Sequence, residues 1–472
     1  MKKTKIVCTL GPASSDEATL AALMRAGMDV VRLNFSHGTH DVHRATCARA
    51  RAVAERLGHP LAVLQDLQGP KIRVGKLPGG SVTLVAGTTV RIAPGEEPRE
   101  PGVVPTTYLA LARDVHAGDS VLLDDGLLRM HVESVQGDEV VCRVDVGGVL
   151  KDRKGINLPG VAVSAPSLSA KDLDDMALGV ELGVDFLCVS FVRSAEDVRQ
   201  AKERLAALGA TTPVIAKIEK PQAVAALEAI LDAADGIMVA RGDLGVEMGP
   251  EKVPLIQKHA IEQANRRGKL VITATQMLES MVHSTFPTRA EASDVANAVL
   301  DNSDALMLSG ETATGDHPEL AVRTMTRIIE EIEASERYRV HNDLPPLDLS
   351  DVSNAVAHAA AAAARSMPQV SAIVCVSYHG RSPTLLSDYR PEVPIYALLG
   401  DGRNCHRMAA FWGVQPFAFE RAHTTEETLA RVEAELGRRN LVKPGDTIIL
   451  TLAVPPGPGH HTNTLKVHRI GG

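Results

Sequence analysis

From residue 4 onward the chain alternates short runs of Val, Ile and Leu with longer Ala/Leu/Glu/Arg stretches of helical period, and this alternation restricts the fold more than any other feature. Parallel strands are covered on both faces, so they read as nearly continuous apolar runs, and joining two of them requires a crossover, usually a helix. The runs are KIVCTL (5–10), VVRLNF (30–35) and LAVLQDL (61–67), then, after an interruption, DFLCVSF (185–191), PVIAKIE (213–219), GIMVA (236–240), LVITATQ (270–276) and ALMLSG (305–310). Eight strands, each followed by a helical stretch or by the interruption, predict an α/β fold built on a closed (β/α)8 TIM barrel.

The interruption differs in kind. Period-two runs such as SVTLV and EVVCRVDV, separated by Gly, Pro and Asp turns, predict an inserted all-β domain, a small β-barrel that can hinge as a lid over the C-terminal rim. Past Glu336, YRVHNDLPPLDLSD reads as a polar linker, and NAVAHAAAAAARSM as a packed helix preceding the strands AIVCVS, PIYALL and DTIILTLA. The predicted division is 1–69 with 169–340 for the barrel, 70–168 for the lid and 345–472 for a C-terminal α/β domain.

Composition narrows the function classes. The 472 residues are 44% hydrophobic and 23% charged, which is ordinary for a globular protein. No segment reaches the ~18 apolar residues of a membrane span, and MKKTKIVCTLGPASSDE lacks the apolar core of a signal peptide. A net charge of −8 argues against nucleic acid as the main partner. The six cysteines form no CxxC pair, and Cys8, Cys188 and Cys375 lie in apolar runs; reduced core thiols in a cytoplasmic protein are expected.

The chemistry of a barrel of this type sits at the C-terminal ends of its strands. Strand two ends in VRLNFSHG, which places Arg32, Asn34 and Ser36 on one face by period two, with His37 in the loop. Strand three ends at Asp66, and strand five carries Lys217 and Glu219 on the same side of an otherwise apolar run. ARGDLG brings Arg241, Gly242 and Asp243, TATQM brings Thr275, and LSGET brings Ser309 and Glu311. Any one of these alone is explained by a solvated rim or a structural ion pair; their convergence is not. Glu219 and Asp243, on neighbouring strands, supply the sparse carboxylate ligation that Mg²⁺ or Mn²⁺ accepts. Arg32, Arg73 and Lys217 suit a phosphate. A metal with a cationic clamp is the equipment of phosphoryl transfer, in which Lys217, kept protonated by flanking carboxylates, bridges the group in flight.

In that order these residues resemble the pyruvate kinase family, as do the blocks TKIVCTLGP, AGMDVVRLNFSHG, KGINLPG, AKIEK, VARGDLGVE, TQMLESM, PTRAEASDVANAV and LSGETATGDHP, which span nearly the whole chain. The resemblance implies transfer of a phosphoryl group from phosphoenolpyruvate to ADP, giving pyruvate and ATP, the last step of glycolysis. It implies that Lys217 stabilises the transition state, that Glu219 and Asp243 hold the divalent metal, and that Gly242, Asp243 and Thr275 contact the carboxylate end of the substrate. By the same resemblance Arg32 contacts the substrate phosphate, and Arg73 and Lys154 contact nucleotide phosphates with Asn34 and His37 close by. Thr275 and Ser309 lie where a hydroxyl and water relay can protonate the enolate. A homotetramer of dihedral symmetry is implied too, with the helix TRAEASDVANAV, whose stripe is Ala292, Val295, Ala296 and Val299, at a subunit contact.

One departure is informative. Where many family members read Asp-Thr-Lys-Gly-Pro-Glu, this chain reads DLQGPK, so that Lys71 replaces an acid that works with a bound potassium ion. A tethered ammonium matches the local charge without that ion, leaving Asn34, Ser36, Asp66 and Leu67 as an empty or weakly used monovalent site, and activity independent of potassium is expected. In the C-terminal domain, SYHGRSP (377–383) lies between a strand and a helix, where Ser377, Arg381 and Ser382 can hold the phosphate of a sugar-phosphate or nucleotide effector. PPGPGHHTN (455–463), opposite it by resemblance, leaves the effector's identity open. Two rival readings are a barrel aldolase or lyase, with Lys217 forming a Schiff base to a keto acid, and a non-catalytic phosphometabolite sensor.

Overall fold

The computed structural model describes residues 2–341, 350–420, 424–455 and 460–471. Eight parallel strands close into a barrel: β1 (Lys5–Thr9), β2 (Val30–Asn34) and β3 (Ala62–Asp66) from the first segment, then, after the insertion described next, five more. The insertion holds β4 (Ser81–Leu84), β5 (Thr89–Pro94), β6 (Val103–Thr106), β7 (Ser120–Leu123), β8 (Leu128–Gln136), β9 (Glu139–Val146), β10 (Gly148–Lys151) and β11 (Ile156–Asn157). The barrel resumes with β12 (Phe186–Val189), β13 (Val214–Ile218), β14 (Gly236–Ala240), β15 (Leu270–Ala274) and β16 (Ala305–Leu308), and β16 pairs with β1 to close it. Each predicted apolar run contains one of these strands, shortened by a residue or more in seven of the eight.

The strands are buried along almost their whole length, as a sheet covered by helices outside and by side chains inside requires. Local sequence starts the covering helices: Asp16, Thr39, Ser169 and Thr288 each accept a backbone N–H of the first turn, and Ser169 and Thr288 complete capping boxes with Asp172 and Glu291.

The insertion is a six-stranded sheet in the order β11-β7-β8-β9-β5-β6 with a separate β10-β4 pair, around its own core of Val74, Ile92, Leu111, Val121, Met130, Val140 and Leu150. Residues 72–75 bridge the two outer strands, Val74 pairing with Thr106 of β6 and Arg73 with Gly155 beside β11, with the Ile156 N–H donating to the Ile72 carbonyl; β5 and β6 pair in parallel, and Leu111 of a short helix, Leu111–Asp114, belongs to the core.

The C-terminal part is a five-stranded sheet in the order β19-β18-β17-β20-β21, comprising β17 (Val370–Ser377), β18 (Ile395–Leu399), β19 (Val414–Ala418), β20 (Thr447–Leu452) and an antiparallel edge, β21 (Thr464–Arg469). Its Ala409, Ala410 and Phe411 belong to the same apolar cluster as Phe186, Leu270 and Ala305, the first residues of three barrel strands. The rings of Phe186 and Phe411 lie 6.4 Å apart. The N-terminal mouth of the barrel is therefore stoppered by this domain, and Lys5 Nζ donating to the Val414 carbonyl (2.7 Å) and the Arg390–Asp304 ion pair (2.7 Å) fasten it there. Only the opposite rim is left for chemistry. The linker residues 342–349 lie outside the described residues.

Candidate active site

At the rim, β2, β3, β12 and β13 lie side by side, with Asn34 paired to Asp66 and Asp66 to Cys188. Asp66 is fully buried and carries two cations. Arg32 donates to its Oδ2 through Nε (2.8 Å) and Nη2 (2.6 Å), and Lys217 Nζ stands 3.7 Å from its Oδ1. Burial pushes the Asp66 carboxyl up, but Lys217 and Arg32 more than reverse this and hold it below the ordinary value. Burial likewise works against the Lys217 ammonium, and Asp66 together with Glu219, 3.4 Å away, overrides it, so that Lys217 lies above the usual lysine value and stays charged.

Glu219 is buried completely. Its Oε1 accepts the Phe191 N–H (2.6 Å), while Oε2 has no hydrogen-bond partner. Burial raises its carboxyl to about 7 against the pull of Lys217, and the negative charge of Asp243 adds to the rise. Asp243 sits in the first turn of the helix Arg241–Met248, which starts directly at the end of β14. Among the described residues no group of three or more His, Cys, Asp or Glu side chains is arranged to hold a metal. Two carboxylates, one with an orphaned buried oxygen, are nonetheless a donor set that fits a hard divalent ion, which takes its remaining ligands from water and substrate oxygens.

Gly242 and Thr275 come together as expected: the Gly242 N–H donates to Thr275 Oγ1 (2.9 Å), whose hydroxyl donates to the Ala274 carbonyl (2.6 Å). Arg241 turns away from the site. It pairs with Asp294 (2.7 Å) and donates to the carbonyls of Ala274 and Thr275, holding Thr275 and Gln276 in left-handed conformations (φ 71° and 53°) that non-glycine residues avoid. Ser309 follows β16, which lies beside β15, so it shares this part of the rim with Thr275. Glu311 is not a rim group: its oxygens accept the backbone N–H groups of Leu278 and Ser309, and it is buried.

Cations gather beside the insertion. Arg73 forms a bridge with Gly155 and donates to the Arg153 carbonyl (3.1 Å), which brings it next to Lys154 where the two connections of the insertion meet. Lys154 is paired with Asp124 (2.8 Å). Partial burial lowers the His37 pKa, and the charges of Arg73, Lys71 and Arg32 lower it further, so these three face one histidine. Lys71 lines a cleft of about 1790 Å³ between the insertion and the rim together with Gly242 and Asp243.

Period two fails at the end of β2. The strand stops at Asn34, whose Oδ1 accepts the Ser36 N–H (3.1 Å), so Ser36 lies in the turn rather than in line with Arg32. Each proposed monovalent-site oxygen for which a contact is seen has a protein donor: Asn34 Oδ1 from Ser36, the Leu67 carbonyl from Ser190 (2.7 Å) and Asp66 from Arg32. The buried stripe of the helix Arg289–Leu300 is Val295, Ala298 and Val299, with Ala292 and Ala296 half-buried, because the helix also packs on Pro318–Glu333 through its Ala298 side.

In the C-terminal domain, Ser377, Arg381, Ser382, His460, His461 and Thr462 line one cavity of about 60 Å³. Arg381 pairs with Asp351, Ser377 Oγ accepts the Gly380 N–H (3.2 Å), and Ser382 is hydrogen-bonded to Thr462. Of PPGPGHHTN, residues 456–459 lie outside the described residues. Reading the sequence by charged residues passed over Ser190, although it stands just past β12, whose Val189 pairs with Ala216, the residue before Lys217.

A closed barrel whose rim sets a buried ammonium and a guanidinium against buried carboxylates, with a β insertion alongside, defines a barrel protein equipped for an anionic substrate. Residues 1–322 match the model of the pyruvate kinase barrel domain and residues 354–468 that of the pyruvate kinase alpha/beta domain. A pyruvate kinase of Mycobacterium tuberculosis is 44% identical, over 100% of this chain and 99% of its own length. One of Geobacillus stearothermophilus is 44% identical over 99% of this chain and 80% of its own. The crystal structure of a pyruvate kinase from Cryptosporidium parvum superposes with a TM-score of 0.92 at 35% identity, covering 99% of this chain and 96% of that one. The chain belongs to the pyruvate kinase family. No helix among the described residues is long and apolar enough to cross a membrane.

Proposed function

We propose that this enzyme transfers the phosphoryl group of phosphoenolpyruvate to ADP, giving pyruvate and ATP, in the cytoplasm. The observation that carries the reading is the Lys217 ammonium fixed beside Asp66 and Glu219 at the barrel rim. Arg32 and Lys217 receive the substrate phosphate, and Gly242, Asp243 and Thr275 its carboxylate end. Arg73 and Lys154, with Asn34 and His37, receive the nucleotide phosphates. As the phosphorus–oxygen bond to the enol breaks and one to the terminal ADP oxygen forms, negative charge spreads over the moving group, and Lys217 neutralises it. The electron pair left on the enol oxygen gives an enolate, which takes a proton at carbon by way of the Thr275 and Ser309 region. Glu219 and Asp243 hold Mg²⁺ or Mn²⁺, which when bound supplies further positive charge to the phosphoryl and carboxylate oxygens. The test is pyruvate formation from phosphoenolpyruvate and ADP. An aldolase using a Schiff base at Lys217 is disfavoured because the flanking carboxylates keep the amine protonated, and borohydride trapping with pyruvate is expected to yield no adduct.

The reaction is proposed to need no potassium: Lys71 supplies a tethered cation, and the oxygens of Asn34, Asp66 and Leu67 already accept protein donors. Replacing tetramethylammonium by potassium should change activity by less than about tenfold, ~1.4 kcal/mol, and a larger rise refutes the proposal. The cavity at Ser377, Arg381 and Ser382 is proposed as an effector site, since the Arg381 side chain remains 54% exposed despite its pairing. Fructose bisphosphate, ribose 5-phosphate or AMP should then shift half-saturating phosphoenolpyruvate by about fivefold or more, whereas no shift with any of them removes the proposal. A homotetramer, with the helix Arg289–Leu300 at a subunit contact, completes the reading.

A further inference from the structure

Ser190 stands where β12 ends, and its hydroxyl makes two bonds of ordinary length in opposite senses. It accepts a proton of Lys217 Nζ (2.8 Å) and donates its own to the Leu67 carbonyl (2.7 Å), with Asp66 Oδ1 at 3.4 Å. The two carboxylates that balance Lys217 lie at 3.4 and 3.7 Å, beyond good hydrogen-bond length, and Ser190 Oγ is the one atom among the described residues to which Lys217 donates a hydrogen bond. Charge and position are thus supplied by different groups: Asp66 and Glu219 hold the ammonium electrostatically, which is weakly directional, and Ser190 fixes where it points.

The backbone around Ser190 is held for this arrangement. Phe191 adopts φ 55°, in the left-handed region that costs a non-glycine residue about 1 kcal/mol or more, and that conformation aims its N–H at Glu219 Oε1 (2.6 Å). Opposite, Gly69 is itself left-handed (φ 69°), and a β-carbon there would come within 2.8 Å of the Phe191 ring and 3.0 Å of the Ser190 β-carbon. The Gly69 N–H is tied to Asp172 (3.0 Å). One turn, Ser190–Phe191, therefore sets the direction of both Lys217 and Glu219.

We propose that Ser190 is a positioning residue for phosphoryl transfer, acting through Lys217 by accepting one N–H and leaving the other two free for the phosphoryl oxygens. The inference rests on the reaction proposed above. An ammonium free to swing between Asp66 and Glu219 still attracts an anion, so ground-state binding survives; stabilisation of the transferring group, which depends on angle and distance, does not.

The experiment is steady-state kinetics on the full chain for wild type, Ser190→Ala, Ser190→Cys and Ser190→Thr, with Ser190→Ala repeated in a Lys217→Met background. Ser190→Ala and Ser190→Cys are expected to lower kcat about 10- to 100-fold with KM for phosphoenolpyruvate changed less than about threefold, and Ser190→Thr, which keeps the hydroxyl, to recover most of the loss. In the Lys217→Met background Ser190→Ala should cost less than about twofold, because residues that act through one another are not additive. Equal losses in both backgrounds would make Ser190 merely structural, and full activity in both Ser190→Ala and Ser190→Cys would overturn the proposal outright. A wild type that forms no pyruvate would instead defeat the reaction on which the inference rests, so the two failures are distinguishable. Should Ser190→Ala not fold, the volume-keeping Ser190→Cys carries the comparison.

Discussion

Lys217→Met is expected to lower kcat by roughly 10³- to 10⁵-fold, the range seen when a single cation is withdrawn from a transferring phosphoryl group. Methionine fills nearly the same space, and the neighbours of Lys217 along β13, Ala216 and Ile218, are apolar and fully buried on the other face, so the substitution removes charge without opening the strand. Asp66 keeps its Arg32 fork, and Arg32 keeps Thr9 (2.9 Å), so a phosphate-binding cation remains in place. Half-saturating phosphoenolpyruvate should therefore rise by less than about tenfold, the signature of an interaction made mainly in the transition state. A coupled assay of pyruvate formation, with melting temperatures measured alongside, makes the comparison. A loss confined to KM would reassign Lys217 to ground-state binding, and a loss below about tenfold in kcat would remove it from the chemistry.

The parts of the molecule legible in the sequence are those governed by local physics. A doubly covered parallel strand must be apolar throughout, so the eight barrel strands announced themselves, and a charge inside such a run, as at Lys217, marked the rim. The C-terminal edge strands β19 and β21 were less visible. β19 carries Gln415 and Pro416, and β21 carries Lys466, His468 and Arg469, so neither reads as a covered strand. The strand order of the insertion, and the bridge that residues 72–75 make between β6 and β11, were not legible, because alternation within a strand carries no record of its partner. Within the site, side-chain type gave the cluster but not its wiring. Glu311 and Arg241 carry charges at strand ends just as Glu219 and Asp243 do, yet they spend them on backbone groups and on Asp294. Ser190, uncharged, gave no signal at all until Lys217 was seen to donate to it.

Glu219→Gln separates the metal reading from a purely structural role for that carboxylate. The amide keeps the shape and can still accept the Phe191 N–H through Oε1, while the orphaned Oε2 loses its negative charge. Outer-shell partners of metal ligands alone are worth about 10- to 100-fold in affinity, and a direct ligand should cost at least as much. Binding of Mn²⁺, followed by its paramagnetic resonance signal in the absence of substrates, is expected to weaken by about tenfold or more, with turnover at saturating Mn²⁺ falling at least about 100-fold. Glu247→Gln is the control. Glu247 is also buried with an oxygen lacking a hydrogen bond, but its other oxygen is held by Lys220 at 2.5 Å and by Asn157 at 3.1 Å, so its charge is already matched by a hydrogen-bonded cation. Glu219 has only the ammonium of Lys217 at 3.4 Å, too long to satisfy it and shared with Asp66. A buried carboxylate so incompletely matched is costly to keep, and a divalent ion removes that cost. Unchanged Mn²⁺ affinity in Glu219→Gln, or an equal loss in both variants, would place the metal elsewhere.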